Sequence, residues 1–361
     1  MPELLRVASP RIASFVDGER VAQVRQRLAQ ITRTQSARTG VTSPELDQVW
    51  AQLRDNLTEG KLVRPAILLA VADATGELDP TQRESVIELA VAVELLHHAF
   101  LLHDDVIDHD TLRRGRPNLI ARLGADFTPE GATQEQAQAV GEATAILAGD
   151  LVLSQAHHRL GRLDVPHAMR VRLLEVLEET LAHSVAGELA DVAFSRSAQR
   201  PTLEQVLAMS ESKTGAYTVR LPLLWALIAT DTEIPDVLEP YAQAVGLAFQ
   251  LQDDLLGLFG DPALVGKDPI SDLREGKFTA VMAHASRTTA WDQIDAHLGD
   301  PNLSLEDGAR VITLLEHCGA RAAVESDLAE ALALAHRYAA EAGSLAQVLD
   351  AVVHALTQRR S

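Results

Sequence analysis

Two pairs of adjacent aspartates, Asp104-Asp105 and Asp253-Asp254, lie far apart in the chain, each inside an otherwise strongly apolar stretch of helical periodicity. Unpaired carboxylates in such surroundings are too costly to persist without a partner. The first pair belongs to Leu-Leu-His-Asp-Asp-Val-Ile-Asp, Leu101 to Asp108, so Asp104 and Asp108 are four apart and project from one face of a helix. The second lies in Phe-Gln-Leu-Gln-Asp-Asp-Leu-Leu-Gly, Phe249 to Gly257. Each pair falls at the C-terminal end of its helix, where the dipole disfavours negative charge and a bound cation reverses the penalty. Carboxylate oxygens without Cys or a dense His set favour a hard cation, and Mg²⁺ held by few protein ligands shares its shell with water and a substrate phosphate. The two clusters together point to a metal-bridged ligand that carries phosphate.

The remainder of the chain limits what that ligand can be. A formal charge of -19 over 361 residues argues against nucleic acid or an anionic membrane as the main partner, because either needs a broad basic face. Apolar residues make up 47%, rich in Ala and Leu, and aromatics only 4%, which favours helix over sheet. The single Cys318 excludes an internal disulfide framework and fits a reducing compartment, where it packs as a small buried residue. No apolar segment follows a basic start, so no secretory signal is expected. The run Val86 to Leu102 is interrupted by Glu88, Glu94, His97 and His98, and Leu221 to Ala229 is too short to span a bilayer. A cytoplasmic protein without stable membrane insertion is the expectation.

Helical periodicity predicts helices near 17–33, 44–58, 65–75, 80–108, 135–160, 166–193, 202–211, 214–230, 237–259, 278–286, 305–317 and 319–357. Turn chemistry separates them at Thr39 to Ser43, Asp126 to Ala132, Ser195 to Pro201 and Gly260 to Gly276. None of these breaks has the length or bias of an interdomain linker, and no repeat is evident. The expected fold is all-α: one helical bundle over residues 1–361 with a central cavity, after a flexible lead-in of about 15 residues.

Basic elements flank the acidic ones. Arg113-Arg114-Gly115-Arg116-Pro117 follows the first group, and arginine forks suit phosphate oxygens. Gly60-Lys61-Leu62-Val63-Arg64-Pro65 places two cations at a helix start, a natural anion site. Lys213-Thr214-Gly215 adds a cation and a hydroxyl, and Gly266-Lys267 and Gly276-Lys277 lie in the loop after the second pair. Singly, each has a bland reading: a solvated loop cation, an ordinary helix start, or, for His97, His98 and His103, a satisfied core or surface histidine. The combination beside charges embedded in apolar helices is what carries the argument.

In this order the elements resemble the trans-type isoprenyl diphosphate synthases, the polyprenyl synthetases, from about residue 15 to 355. Asp104, Asp105, Asp108, Arg113, Arg114, Gly115 and Pro117 meet that family's first acidic motif and its Arg-Arg-Gly-x-Pro loop residue for residue. Gly60, Lys61, Arg64 and Pro65 meet Gly-Lys-x-x-Arg-Pro, and Glu94 with His97 meet Glu-x-x-His. Lys213-Thr214, Phe249-Gln250, Asp253-Asp254, Gly266-Lys267 and Asp272-Leu273 complete the pattern. There are two departures. The second acidic motif lacks its usual third aspartate, Gly257 standing in that place, and Asp261, returned to the same face by a continued helix, is the expected partial replacement. The family's Gly-Gln before an Asp reads Gly187-Glu188, with Asp191 kept.

The resemblance implies a head-to-tail condensation. An allylic diphosphate loses its diphosphate, and the double bond of isopentenyl diphosphate attacks the resulting cation. Mg²⁺, two or three ions for which Mn²⁺ can substitute, is then held by Asp104, Asp105, Asp108, Asp253 and Asp254. Arg113, Lys213 and Lys267 grip the leaving diphosphate. Lys61, Arg64, His97 and Arg114 hold isopentenyl diphosphate, while Thr214 and Gln250 turn oxygen dipoles to the cation. The released diphosphate takes the final proton, and a homodimer is implied. Ala99 and Phe100, five and four residues before Asp104, lie about one turn, roughly 6 to 7.5 Å, deeper in the cavity. One aromatic and one small residue there imply an intermediate product, geranylgeranyl diphosphate, with farnesyl diphosphate next. Other readings compete: a His-Asp phosphohydrolase through His103-Asp104, which leaves the Arg-Arg-Gly loop and second pair unused; a cyclase of the same fold, opposed by intact Lys61, Arg64 and Arg114; and a noncatalytic subunit, to which the gap at Gly257 gives some weight.

Overall fold

The computed structural model describes residues 16–113, 116–196, 200–260 and 270–357, the side chains of 34–38 and 196 excepted. The expected lead-in and Arg114, Gly115, Asp261, Gly266 and Lys267 lie outside the described residues. The described chain is helical apart from a two-stranded antiparallel hairpin, β1 (Leu112–Arg113) with β2 (Arg116–Pro117), in which Arg113 faces Arg116.

Helix starts follow from side chains that satisfy the first orphan amides. At α4 (Pro80–Ile107) the Asp79 carboxylate accepts from Thr81 N at 2.8 Å and Gln82 N at 2.9 Å, and Gln82 accepts in return from Asp79 N. The same reciprocal box opens α6 (Gln134–Gly161) with Thr133 and Gln136, and α8 (Leu203–Ser210) with Thr202 and Gln205. Asn118 caps α5 (Leu119–Phe127), and Ser43 caps α2 (Pro44–Glu59).

Two compact units result. The first spans residues 1–175 and 222–233; it includes α1 (Gly18–Thr39), α2, α3 (Val63–Ala74), α4, α5, α6, the start of α7 (His167–Arg196) and most of α9 (Leu221–Ala229). At its centre α4 packs against α6, α3 and α1 and buries Leu89, Val91, Val93, Leu95 and Leu96 completely. Among the described residues α4 alone is long and apolar enough to cross a membrane; here those side chains are packed in the core of the unit.

The second unit spans residues 176–221 and 234–361. It holds the rest of α7, α8, a π-helix (Glu211–Arg220), α10 (Leu238–Phe259), α11 (Ser271–Glu275), α12 (Ala280–Ala285), α13 (Trp291–Asp295), α14 (Leu305–His317), α15 (Ala320–Glu341) and, after a 3-10 turn, α16 (Ala346–Thr357). Its α10 packs between α15 and the π-helix. Leu251, Leu258, Ile270, Leu273 and Phe278 share one core, with the Arg200 guanidinium 5.6 Å above the Phe278 ring.

Several elements differ from expectation. The short helices α5, α11 and α13 are absent from the periodicity reading. The segment expected as one helix over 319–357 breaks at Gly343, whose φ of 62° is left-handed. The segment expected to open at 214 is a π-helix from Glu211, continuous with α8 and α9.

Candidate active site

The first acidic group closes α4. Asp108 N donates to Asp104 O at 2.9 Å, so the last turn is intact and the two half-buried carboxylates rise from one face. Asp105 points elsewhere. It is 4% exposed; its Oδ1 accepts from Arg113 Nη2 in an ion pair, and its Oδ2 accepts from Asn118 Nδ2 at 3.1 Å. Asn118 Nδ2 also donates to Asp110 O at 2.7 Å, and Asp110 N to Asp105 O at 2.9 Å, which clamps the hairpin base to the helix end. Burial raises the Asp105 carboxyl above its ordinary range, the Arg113 charge working against that rise. At Arg113 burial opposes the cation, but its bond to Asp105 outweighs this and raises its pKa. Both oxygens of Asp105 are thus engaged by the protein, which moves the metal proposal in this group to Asp104 and Asp108, and Arg113 is held by Asp105. Asn118 escaped the sequence reading, although an Asn directly before an apolar helical run is a readable N-cap.

The Gly60 to Arg64 loop lies on α4. A Cβ at Gly60 would stand 2.8 Å from Glu94 Oε1, so the loop backbone comes close to that carboxylate. Glu94 is 2% exposed and has His98 Nε2 3.5 Å from its carboxylate. Leu62 adopts the left-handed region at φ 51° with its side chain buried, directly before α3. Lys61 is exposed, Arg64 buried and His97 half-buried. The loop carrying Lys61 and Arg64 is therefore brought to the Glu94-x-x-His97 segment, as the motif order implies. One turn before Asp104, Ala99 is fully buried and Phe100 half-buried.

In the second unit the π-helix presents Lys213 and Thr214 beside α7. Gly187 makes this possible, since a Cβ there would lie 2.3 Å from Lys213 N. Lys213 Nζ sits 2.6 Å from Asp191 Oδ2 and 2.9 Å from Glu188 Oε2. The Glu188 departure thus adds a second carboxylate to that ammonium. On α10, Asp254 is 6% exposed; its Oδ1 accepts from Gln250 Nε2 at 2.8 Å and its Oδ2 from Ala280 N at 3.3 Å. Burial lifts the Asp254 carboxyl to about 7; the two hydrogen bonds pull it down in part, and the charges of Asp272 and Asp253 add to the rise. In both pairs, then, the second aspartate is turned into the protein, while Asp104 and Asp253 remain half-buried. Gln250, expected to face a carbocation, uses its amide nitrogen on Asp254.

The donor set of the acidic groups is carboxylate only, on helix ends that disfavour negative charge, which fits a hard divalent cation. A mixed grouping also occurs among the described residues: His336, Asp350 and His354 on α15 and α16, with donor atoms within 4.8 Å of one another. It shares no residue with the acidic motifs, and its nitrogen donors suit a softer metal.

Comparison with known proteins identifies the family. The sequence matches the family model for Polyprenyl synthetase over residues 47–315. It is 36% identical to the (2E,6E)-farnesyl diphosphate synthase of Mycobacterium tuberculosis over 271 residues, 73% of this chain and 68% of the relative. It is 31% identical to the geranylgeranyl diphosphate synthase of Methanosarcina mazei, covering 72% of this chain and 73% of that one. The structure resembles a geranylgeranyl pyrophosphate synthase of Corynebacterium glutamicum complexed with isoprenyl diphosphate and magnesium, with a TM-score of 0.85, 28% identity, and coverage of 95% and 99% of the two chains. The chain belongs to the polyprenyl synthetase family. It has the all-α isoprenoid synthase fold and is a prenyltransferase.

Proposed function

We propose that the protein condenses isopentenyl diphosphate with allylic diphosphates in the presence of Mg²⁺ and stops at a short chain, geranylgeranyl diphosphate. The observation that carries this is the Gly60 to Arg64 loop seated on α4 at Glu94: a cyclase, which binds one diphosphate, has no use for a second basic anchorage. In this reading Lys61, Arg64, His97 and Arg114 hold isopentenyl diphosphate. Arg113, Lys213 and Lys267 hold the allylic diphosphate, with Thr214 and Gln250 near its reacting carbon. Asp104, Asp108 and Asp253 are the carboxylates for the divalent cation, Asp105 and Asp254 supporting them from behind. The bound cation supplies charge neutralisation for the leaving diphosphate.

The allylic C–O bond breaks with its electron pair going to diphosphate. The isopentenyl double bond then forms the new C–C bond, and a proton passes from the isopentenyl C2 to the released diphosphate. The side chains position both substrates so that attack is effectively intramolecular, and the apolar helices exclude water that would trap the cation. Phe100 supports an intermediate length because one aromatic ring one turn from Asp104 limits depth, with farnesyl diphosphate the second reading. The half-buried free thiol Cys318 suits the cytoplasm, and the exposed Ile146 and Leu147 on α6 suit a homodimer contact.

Labelled isopentenyl diphosphate incubated with dimethylallyl, geranyl or farnesyl diphosphate, followed by chromatography of the dephosphorylated products, tests the reading. The expected outcome is geranylgeraniol as the terminal product; cyclic hydrocarbons formed without isopentenyl diphosphate would replace it with the cyclase.

A further inference from the structure

The last two long helices carry a constellation of metal-ligand chemistry that the acidic motifs do not use. On α16, Asp350 and His354 are four residues apart and share a face. The chain enters α16 from α15 through the left-handed turn at Gly343, φ 62°, and the two helices pack together. That packing brings His336 of α15 onto the Asp350 carboxylate.

His336 Nδ1 lies 2.8 Å from Asp350 Oδ1 and His354 Nδ1 lies 3.5 Å from Asp350 Oδ2, with the two rings edge to face and their centroids 5.2 Å apart. One donor atom from each of the three residues lies within 4.8 Å of the other two. Two ligands on a tetrahedral zinc ion, each about 2.0 to 2.1 Å from it, are about 3.3 Å apart. The two spans bracket that separation. His354 Nδ1 also stands 2.8 Å from Asp350 O, a bond that a ligating Nδ1 exchanges for the metal.

The placement is built from behind. Ala335, Leu349 and Val353, each adjacent to one of the three residues, are at most 1% exposed. Tyr241 of α10, fully buried, donates its hydroxyl to Leu349 O at 2.8 Å. The core therefore fixes the backbone beneath the three side chains, while the side chains of His336, Asp350 and His354 are 40%, 43% and 19% exposed. A site held from below and open above offers three protein ligands and a fourth position for water. A hydrogen-bonded His-Asp pair accounts for one imidazole only; two on one carboxylate, from two helices, match the ligand number of zinc.

We propose that His336, Asp350 and His354 bind a divalent transition-metal ion of the zinc type, which ties α16 to α15. Imidazole nitrogens with a single carboxylate suit Zn²⁺, whereas Mg²⁺ prefers an all-oxygen shell. The site shares no residue with the acidic motifs and does not rest on the prenyl transfer reading. An ion held by residues of both helices is bound by the folded chain in preference to the unfolded one, so it stabilises the C-terminal pair.

The test uses the full-length, tag-free protein in excess Mg²⁺, which fills all-oxygen sites, and titrates it with Zn²⁺ by calorimetry and with Co²⁺ by visible absorption. The expected result is one tight Zn²⁺ per chain, a Co²⁺ spectrum of four-coordinate intensity, and a melting temperature that rises with Zn²⁺ and not with further Mg²⁺. His336→Ala, Asp350→Asn and His354→Ala are each expected to weaken Zn²⁺ binding by about a hundredfold and to remove the melting shift. Wild-type Zn²⁺ affinity in any one of the three folded variants overturns the inference, as does a six-coordinate Co²⁺ spectrum or the lack of a melting shift in the wild type. If a variant does not fold, the wild type decides by nuclear magnetic resonance: the imidazole signals of His336 and His354 must shift together on addition of Zn²⁺, and shifts at other histidines in their place overturn the inference.

Discussion

The ammonium of Lys213 lies 2.6 Å from the carboxylate of Asp191, with Glu188 at 2.9 Å from the same nitrogen. Two carboxylates on one ammonium leave a local excess of negative charge where the proposed function places a diphosphate. Glu188 is one of the two positions at which this chain departs from the family's pattern, so its removal isolates the effect. Glu188→Gln is expected to lower the Michaelis constant for the allylic diphosphate by roughly threefold with little change in kcat, since Asp191 still positions Lys213. A raised Michaelis constant would show instead that Glu188 is needed to aim the lysine.

The two aspartates that begin α4's motif divide their work. Asp104→Ala removes a half-buried carboxylate that the proposed function places at the divalent cation, and turnover should fall by several orders of magnitude with the fold retained. Asp105→Ala strands Arg113 and Asn118. It should cost about 2 kcal/mol of stability, short of the full penalty for a broken buried pair because 33% of Arg113 is exposed. Calorimetry and single-turnover assays on both variants check the division; equal melting temperatures would remove Asp105's anchoring role.

Asp254 makes the metal-free protein sensitive to pH. Its folded pKa is raised to about 7, so its contribution to stability is full below about 4 and is lost as pH rises through about 7. In chelator, the wild type should lose roughly 3 kcal/mol between pH 5 and pH 8 from this group, and Asp254→Asn should flatten that slope. Parallel melting curves for the two proteins across the range would contradict the assignment.

Phe100 and Ala99 set the expected product length. Phe100→Ala should lengthen the dominant product by at least one isoprene unit, and Ala99→Phe should shorten it. Product chromatography decides; an unchanged distribution in both active variants places the floor of the cavity elsewhere.

Much of this was legible in the residues alone. The helices with reciprocal caps, at Asp79 and Gln82 or Thr133 and Gln136, were read to within a residue or so because capping and apolar period agree there. The motif residues were legible as chemistry, since carboxylates in apolar helices have few uses. What they bond to was not. The engagement of Asp105 by Asn118 and of Asp254 by Ala280 N depends on turns that sequence spacing does not place. The π-helix was hidden because no residue type marks an i→i+5 turn, and its ten residues read as ordinary helix. The approach of Asp272 to Gly257 joins residues in different helices, which a rule of spacing along one helix does not reach.

Leu62 offers a last point. A leucine at φ 51° carries a backbone cost of about 1 kcal/mol, which the burial of its side chain, roughly 2 kcal/mol, more than offsets. The bend between Lys61 and Arg64 is therefore nailed to the hydrophobic interior before any substrate arrives. If the loop holds isopentenyl diphosphate as proposed, anion capture there freezes little backbone motion, and the affinity is spent on the ligand and not on ordering the loop.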